Sequence, residues 1–201
     1  MMTVALPTGK LYKRSVEVLK AAGLSAEGLS EPARRLIFEG TARFILVKPT
    51  DVPVYVEMGA ADIGIVGSDV IEESARQVCE LFDLGFGKCR LVMAACEPAR
   101  ELMEYNNRRV ATKYPNMARD FFFEECMEME YVKLNGSVEL APLIGLTHCI
   151  VDIVETGTTL KENGLVEVAT IKECSARLIA NRVSWKFFYR HDINALIERL
   201  K

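Results

Sequence analysis

The 201-residue chain lacks most of the features that mark a specialised class. No apolar run approaches the ~20 residues a membrane helix needs. Lys10, Lys13 and Arg14 break up any signal-peptide core near the N-terminus. A formal net charge of −3 offers no electrostatic case for nucleic acid or for an anionic membrane. The six cysteines, at 79, 89, 96, 126, 149 and 174, include no C-x-x-C pair. That scatter suits reduced thiols in a cytoplasm better than disulfides or a zinc site. Only two histidines occur, His148 and His191, and neither has a partner at metal-ligand spacing, so both read as structural or surface residues. There is no internal repeat, low-complexity tract or Pro/Ser-rich linker. Asp62-Ile63-Gly64-Ile65-Val66-Gly67 misses the G-x-G-x-x-G spacing of a dinucleotide site, although its glycines could let a ligand approach a strand end.

What is present reads as an ordinary globular core: half the residues are hydrophobic, enough for one large domain or two small ones. Short β-rich runs alternate with helical patterns, which predicts α/β architecture with largely parallel sheets. Strands are expected over 3–6, 63–66, 78–82, 90–94, 110–112, 129–134 and 166–171. Helices are expected over 11–22, 51–57 (capped by Asp51), 116–124 and 138–144. Glu39-Gly40 suggests a hairpin between 36–38 and 44–47. Ile193, Leu196, Ile197 and Leu200 keep the spacing of one buried helical face. The Phe121-Phe122-Phe123 run with Met127 and Met129 reads as core filling. Trp185 and Phe187-Phe188-Tyr189 are more large rings than one terminal helix can bury, so part of that face is expected to meet another subunit.

The most informative stretch is Cys149-Ile150-Val151-Asp152-Ile153-Val154-Glu155-Thr156-Gly157-Thr158-Thr159-Leu160. An apolar, β-branched run carries one Asp, then breaks into an acid and a Thr/Gly-rich turn. A short helix is expected over 160–163, stopping at Gly164. Small residues let backbone N–H groups converge on an anion, and a helix start aims its positive end at the same point. Such a loop suits a phosphate monoester. Asp152 and Glu155 would repel phosphate, but they suit ribose hydroxyls or a divalent cation that arrives with a substrate. Phosphate, diol and metal together describe a phosphoribosyl donor such as phosphoribosyl pyrophosphate. A plainer account stands beside this one: Thr159-Leu160-Lys161-Glu162 fits a capping box, which alone would justify a Thr at a helix start.

Upstream, Lys133-Leu134-Asn135-Gly136-Ser137-Val138-Glu139-Leu140-Ala141-Pro142 leads through Gly145 into the loop. Glu139, a Gly six residues on and an Asp seven beyond it, then Thr-Gly-x-Thr-Leu, resembles the signature of the ATP phosphoribosyltransferase family, which performs the first committed step of histidine biosynthesis. Further blocks resemble the same family in the same order: Ala5-Leu6-Pro7-Thr8-Gly9-Lys10-Leu11, Lys48 to Glu57 with Ala60 to Gly67, Gly87 to Leu91, Val110 to Pro115, and Ser175 to Ile179. Thr8 and Lys10 stand where the family usually shows Lys and Arg, and Lys48 where Arg is common. An ammonium does not grip phosphates in the geometry of a guanidinium.

The resemblance implies an α/β, two-lobe periplasmic-binding-protein-like (type II) fold with its active site in the interlobe cleft. Lobe I is expected over 1–87, lobe II with the donor loop over 88–176, and a return to lobe I over 177–201. It implies transfer of the phosphoribosyl group of phosphoribosyl pyrophosphate to N1 of ATP, with release of pyrophosphate. Lys48 and Lys10 would be catalytic, and Glu139, Asp152, Glu155, Thr156, Gly157, Thr158 and Thr159 would bind phosphoribosyl pyrophosphate. Gly9, Arg34, Gly67 and Asp69 would bind ATP, with Lys10, Lys48 and one of Arg34 and Arg35 as the cations for pyrophosphate and triphosphate. Mg2+ would arrive with the substrate rather than on fixed protein ligands, with Asp152 its candidate contact. The chain matches the short form of the family, which implies a cytoplasmic enzyme, self-association and a separate regulatory subunit resembling histidyl-tRNA synthetase. Two rival readings are a type I phosphoribosyltransferase, which usually carries two adjacent acids where Ile153-Val154 here separate Asp152 and Glu155, and a non-enzymatic effector-binding module on the same architecture.

Overall fold

The computed structural model describes residues 1–96 and 108–201. In chain order its elements begin with β1 (Thr3–Pro7), α1 (Tyr12–Ala21), a hairpin of β2 (Ile37–Glu39) and β3 (Arg43–Val47), and a 3-10 turn, Pro49–Asp51. That turn runs into α2 (Val52–Glu57), followed by β4 (Ile63–Gly67), α3 (Ser68–Ser74) and β5 (Cys79–Asp83). Next come β6 (Cys89–Ala95), β7 (Arg108–Thr112), α4 (Pro115–Glu124), β8 (Met129–Lys133), α5 (Leu140–Leu143) and β9 (Cys149–Val154). The chain continues through α6 (Thr158–Glu162), β10 (Val166–Cys174), β11 (Ala176–Ala180), a π-helical turn over Ser184–Phe188 and α7 (Arg190–Leu200). The described residues divide into two compact units: unit 1 is Met1–Gly87 with Ser175–Lys201, and unit 2 is Lys88–Cys174. Ser175 and Ala176 thus go with unit 1 rather than with the preceding stretch, because Ala176 already pairs with Gly67 and the Ser68 N–H donates to Ser175 O.

Unit 1 is built on one sheet of order β2-β3-β1-β4-β11-β5, and unit 2 on one of order β10-β6-β9-β7-β8. The expected largely parallel sheets are in fact mixed. β3, β1 and β4 run parallel, as do β8, β7 and β9, but β2, β11, β5, β6 and β10 all pair antiparallel. Connectivity explains one of these pairs: β2 and β3 are joined by a tight hairpin and must reverse, whereas the parallel neighbours are joined by longer crossovers.

Alternation along the inner strands divides each core in two. On one face of unit 1, Val4, Leu6, Ile63, Ile65 and Leu178 pack with Leu19 of α1 and with Ile193 and Leu196 of α7. On the other, Ala5, Val66 and Ile179 pack with Val52 and Val56 of α2. The close seat of α2 depends on Gly64, where a Cβ would lie 2.8 Å from Val52 Cγ1 and 2.9 Å from Val56 Cγ2. In unit 2, Leu91, Met93, Val110 and Val151 meet Met117, Ala118 and Phe122 of α4. The opposite face carries Val92, Ala94, Ala111, Ile150 and Val154, with Val138, Ala141 and Leu160 over them.

Several local expectations change. α3 goes unpredicted because it leaves β4 directly at Gly67, with no breaker to announce it. α5 covers four residues of the expected 138–144. Asp51 does occupy the N-cap of α2, yet its side chain makes no capping bond and instead accepts the Thr50 hydroxyl at 3.3 Å. His148 is structural, its Nδ1 accepting the Arg109 N–H at 3.1 Å. The aromatic segment sits in the π-helical turn before α7, not on the terminal helix: Trp185 and Tyr189 pack on the unit 1 core while Phe187 and Phe188 are exposed. Among the described residues no helix is long and apolar enough to cross a membrane.

The Phe run separates by face. Phe122 is fully buried and meets the Phe121 ring edge-on at 5.1 Å between centroids, whereas Phe123 is 82% exposed. Phe122→Ala is therefore expected to destabilise the protein by about 3–5 kcal/mol, and Phe123→Ala by no more than about 0.5 kcal/mol. Urea unfolding midpoints of the two variants measure the contrast.

Candidate functional site

Parallel strands deliver their C-terminal ends to a common edge, and open α/β sheets place ligands there. In unit 2 the register Thr112↔Val151 and Thr112↔Lys133 means that β7, β8 and β9 all leave the sheet on the same side. β9 carries Asp152 near that end. Its carboxylate shares a face with Ile150 and Val154, and its Oδ1 accepts the Ile153 N–H at 2.8 Å. Burial pushes this carboxyl above its ordinary value. The Ile153 N–H lowers it, the neighbouring Glu139 charge raises it again, and Lys113 opposes that rise. Glu139, at the N-cap of α5, is thus an electrostatic neighbour of Asp152 despite twelve intervening positions.

Beyond Val154 the chain turns through exposed Glu155 and Thr156 into Gly157, whose φ of +80° is a left-handed conformation that glycine adopts readily. The Thr156 and Thr158 hydroxyls lie 3.0 Å apart, and the Gly157 carbonyl accepts the Lys161 N–H. The helix starts at Thr158, earlier than expected, and Gly157 is its N-cap. Thr159 therefore lies inside the helix, and the capping-box account of this motif is not realised. α6 is a single five-residue turn, so anion binding here rests on loop N–H groups and hydroxyls rather than on a long macrodipole.

Unit 1 presents an equivalent edge. The Thr8 N–H donates to Val47 O at 2.8 Å, which ties the ends of β1 and β3 together. Gly9 (φ +85°) turns the chain toward α1, with its carbonyl accepting the Tyr12 N–H. Lys10 and Lys48 are exposed immediately beyond β1 and β3. Gly67 closes β4 and caps α3, and Asp69 in the first turn folds back over it. A Cβ at Gly67 would lie only 2.0 Å from Asp69 Oδ1. The Leu46 N–H donates to Leu36 O, so the 34–36 segment flanks the same end of β3. Of its two arginines, Arg35 is committed elsewhere, donating to Ile37 O and lying over the Phe38 ring at 4.9 Å, which favours Arg34 as the candidate cation.

The expected residues therefore form two groups. Gly9, Lys10, Lys48, Gly67 and Asp69, with Arg34 flanking, share the unit 1 edge. Glu139, Asp152, Glu155, Thr156, Gly157, Thr158 and Thr159 share the unit 2 edge. The sequence assigns no role to Lys113, the first residue beyond β7, although it lies within the Val110 to Pro115 block that resembles the family. Among the described residues no group of three or more His, Cys, Asp or Glu side chains could hold a metal ion. The hollow lined by Asp62, Asn181 and Ser184 lies at the opposite edge of unit 1 and is a structural latch. There Asp62 accepts the Ser184 hydroxyl and the Thr3 N–H, and Asn181 donates to Val56 O.

A family model described as ATP phosphoribosyltransferase matches residues 48–201. An ATP phosphoribosyltransferase of Moorella thermoacetica is 51% identical over 211 residues, spanning 100% of this chain and 92% of its own length. The chain belongs to the ATP phosphoribosyltransferase family. Its reaction is the first step of histidine biosynthesis, in which the phosphoribosyl group of phosphoribosyl pyrophosphate moves to N1 of ATP and pyrophosphate leaves. A solved chain from the "ATP phosphoribosyl transferase (HisG:HisZ) complex from Thermotoga maritima" superposes with a TM-score of 0.85 at 33% identity, covering 100% of this chain and 96% of that one. The substrate-binding protein of an amino acid ABC transporter superposes at 0.58 with 10% identity, over 99% of this chain and 91% of that one. That second likeness concerns fold alone, the periplasmic-binding-protein type II architecture. The membership sets aside both the type I transferase and the binding-module readings.

The raised carboxyl of Asp152 gives a signed expectation. A carboxyl that titrates above its unfolded value adds stability below the unfolded pKa, and that stability is lost as pH rises through the folded pKa. Asp152→Asn is uncharged at every pH, so at neutral pH it should melt higher than the parent, and the gap should close on acidification. Calorimetric melting of both proteins across the acid range measures this.

Proposed function

We propose that the unit 2 edge receives the phosphoribosyl donor and the unit 1 edge the nucleotide, so that the functional lobes follow 1–87 with 177–201 and 88–176. The observation that carries this reading is the left-handed Gly157 turn, flanked by paired Thr156 and Thr158 hydroxyls directly after the strand bearing Asp152. Thr156 to Thr159 hold the donor 5-phosphate through backbone N–H groups and hydroxyls. Asp152, with Glu139 beside it, accepts the ribose hydroxyls, and Glu155 guards the loop entrance. Lys10, Lys48 and Arg34 face the triphosphate and the departing pyrophosphate, with Gly9 and Gly67 allowing the nucleotide close to the backbone and Asp69 bounding it.

The transition state carries positive charge on the sugar ring and extra negative charge on the leaving group, so the useful groups are those that match that pattern. Half-buried carboxylates near the ribose favour an oxocarbenium-like ring, and lysines favour the pyrophosphate. The adenine N1 attacks with its own lone pair, so no general base is needed to start the reaction. A divalent cation fits this donor set on chemical grounds: two neighbouring carboxylates are too few for a protein-bound site but suit a metal already chelated by a diphosphate. Mg2+ bound in that way would neutralise charge on the leaving group.

The Thermotoga maritima relative is described in a complex with a second protein. On that basis we infer that this cytoplasmic enzyme likewise works with a regulatory subunit resembling histidyl-tRNA synthetase and self-associates. The exposed Phe187 and Phe188 rings are candidate contacts.

Titration calorimetry with phosphoribosyl pyrophosphate tests the loop. Binding to the parent should require Mg2+, and Gly157→Val, which forces a β-branched residue to positive φ, should abolish it while circular dichroism stays native. Unchanged donor affinity in the folded variant would remove the loop from the site. The partner is tested by adding histidine to the isolated chain and to the reconstituted complex. Inhibition is expected only in the complex, and strong inhibition of the chain alone would overturn this assignment.

A further inference from the structure

The donor edge poses an electrostatic problem. Phosphoribosyl pyrophosphate is a polyanion, yet on the unit 2 edge itself the charged side chains assigned to it, Glu139, Asp152 and Glu155, are all acids, the cations Lys10, Lys48 and Arg34 belonging to the unit 1 edge. Like charges at short range repel, so a cation on the same edge would offset that repulsion alongside the metal.

The strand register supplies one. β7 and β9 run parallel with Ala111↔Ile150 and Thr112↔Val151. The pairing ends at Thr112↔Val151, and carrying its register one residue on, into the bend after β7, sets Lys113 next to Asp152. Side chains alternate along a strand, and Ala111 and Ile150 both belong to the face covered by Val138, Ala141 and Leu160. Lys113 and Asp152, two residues on in each strand, therefore take that same face at the common C-terminal end. Lys133, the other lysine at this edge, pairs in register with Thr112 and so takes the opposite face, shared with Val151. Lys113 is exposed, and the turn after it is braced by the Tyr114 N–H donating to Thr112 Oγ1 at 2.8 Å. The charge of Lys113 is felt at Asp152.

We propose that Lys113 is a further substrate-binding residue, whose ammonium group holds the pyrophosphate of the donor while the Thr156–Thr159 loop holds the 5-phosphate. This rests on the donor reading of the unit 2 edge. With the 5-phosphate at the loop that follows β9 and the ribose hydroxyls at Asp152, a cation one strand over meets the remaining phosphates, those on C1. Lys113 then stabilises the charge that grows on the leaving group as the C1–O bond breaks, and so acts on turnover as well as on binding.

Lys113→Met and Lys113→Arg are compared with Thr158→Val. In Lys113→Met the KM for phosphoribosyl pyrophosphate and the inhibition constant of free pyrophosphate should both rise by roughly ten-fold or more, the loss of one charge-assisted contact. kcat should fall, the KM for ATP should hold, and Lys113→Arg should recover part of the loss. Ribose 5-phosphate, which lacks the pyrophosphate, should inhibit Lys113→Met as well as it inhibits the parent, but should inhibit Thr158→Val poorly. An unchanged pyrophosphate constant in Lys113→Met overturns the proposal. So does an equal weakening of ribose 5-phosphate, which would place Lys113 at the sugar end. If ribose 5-phosphate binding survives in Thr158→Val, the donor loop itself is misplaced, a separate failure.

Discussion

Parallel pairing at the centre of each sheet is the constraint on which the rest depends. When β3, β1 and β4 lie parallel, and likewise β8, β7 and β9, the chain must leave all three strands at one edge. That edge collects loops from distant parts of the sequence without any further instruction. The hydrogen-bonded register then decides which side chains stand abreast. Lys48 follows β3, Lys10 follows β1 and Gly67 ends β4, so three segments separated by tens of residues share one rim.

The strands hold that position because they are buried on both faces. Val4, Ala5 and Leu6 have no exposed surface, nor do Ile150 and Val151. A one-residue slip would exchange the two apolar faces and move every site residue with them, so packing fixes the register. At Gly64 a helix comes close because there is no side chain, and at Gly67 a carboxylate folds back for the same reason. Both glycines sit on the strand that ends at the unit 1 edge.

Chemistry at the donor edge follows from uneven solvation. Asp152 is drawn into an apolar face beside Glu139, which makes its charge costly, whereas Glu155 and the threonines are left to water. A carboxylate held at such cost is poised to welcome a ligand that restores hydrogen bonds and positive charge. Hydroxyls and N–H groups in the turn beyond it suit the opposite demand, that of a phosphate.

The sequence by itself determined a good deal. Composition offered no case for a membrane helix or for nucleic-acid binding. Cys149 to Leu160 suggested a phosphate-diol site because strand, acid, turn and hydroxyls are contiguous there. The hairpin at Glu39-Gly40 and most strands were legible for the same reason. Other features needed the tertiary structure. The mixed direction of the sheets is set by strands brought together from distant segments, while the engagement of Arg35 by Ile37 O and Phe38 and the helix start at Thr158 are local geometry that composition does not announce. The neighbourhood of Asp152, Glu139 and Lys113 is the clearest case. Those residues come from three separate segments, and no spacing along the chain records that the strand ends bring Lys113 and Glu139 close enough for their charges to act on the half-buried Asp152.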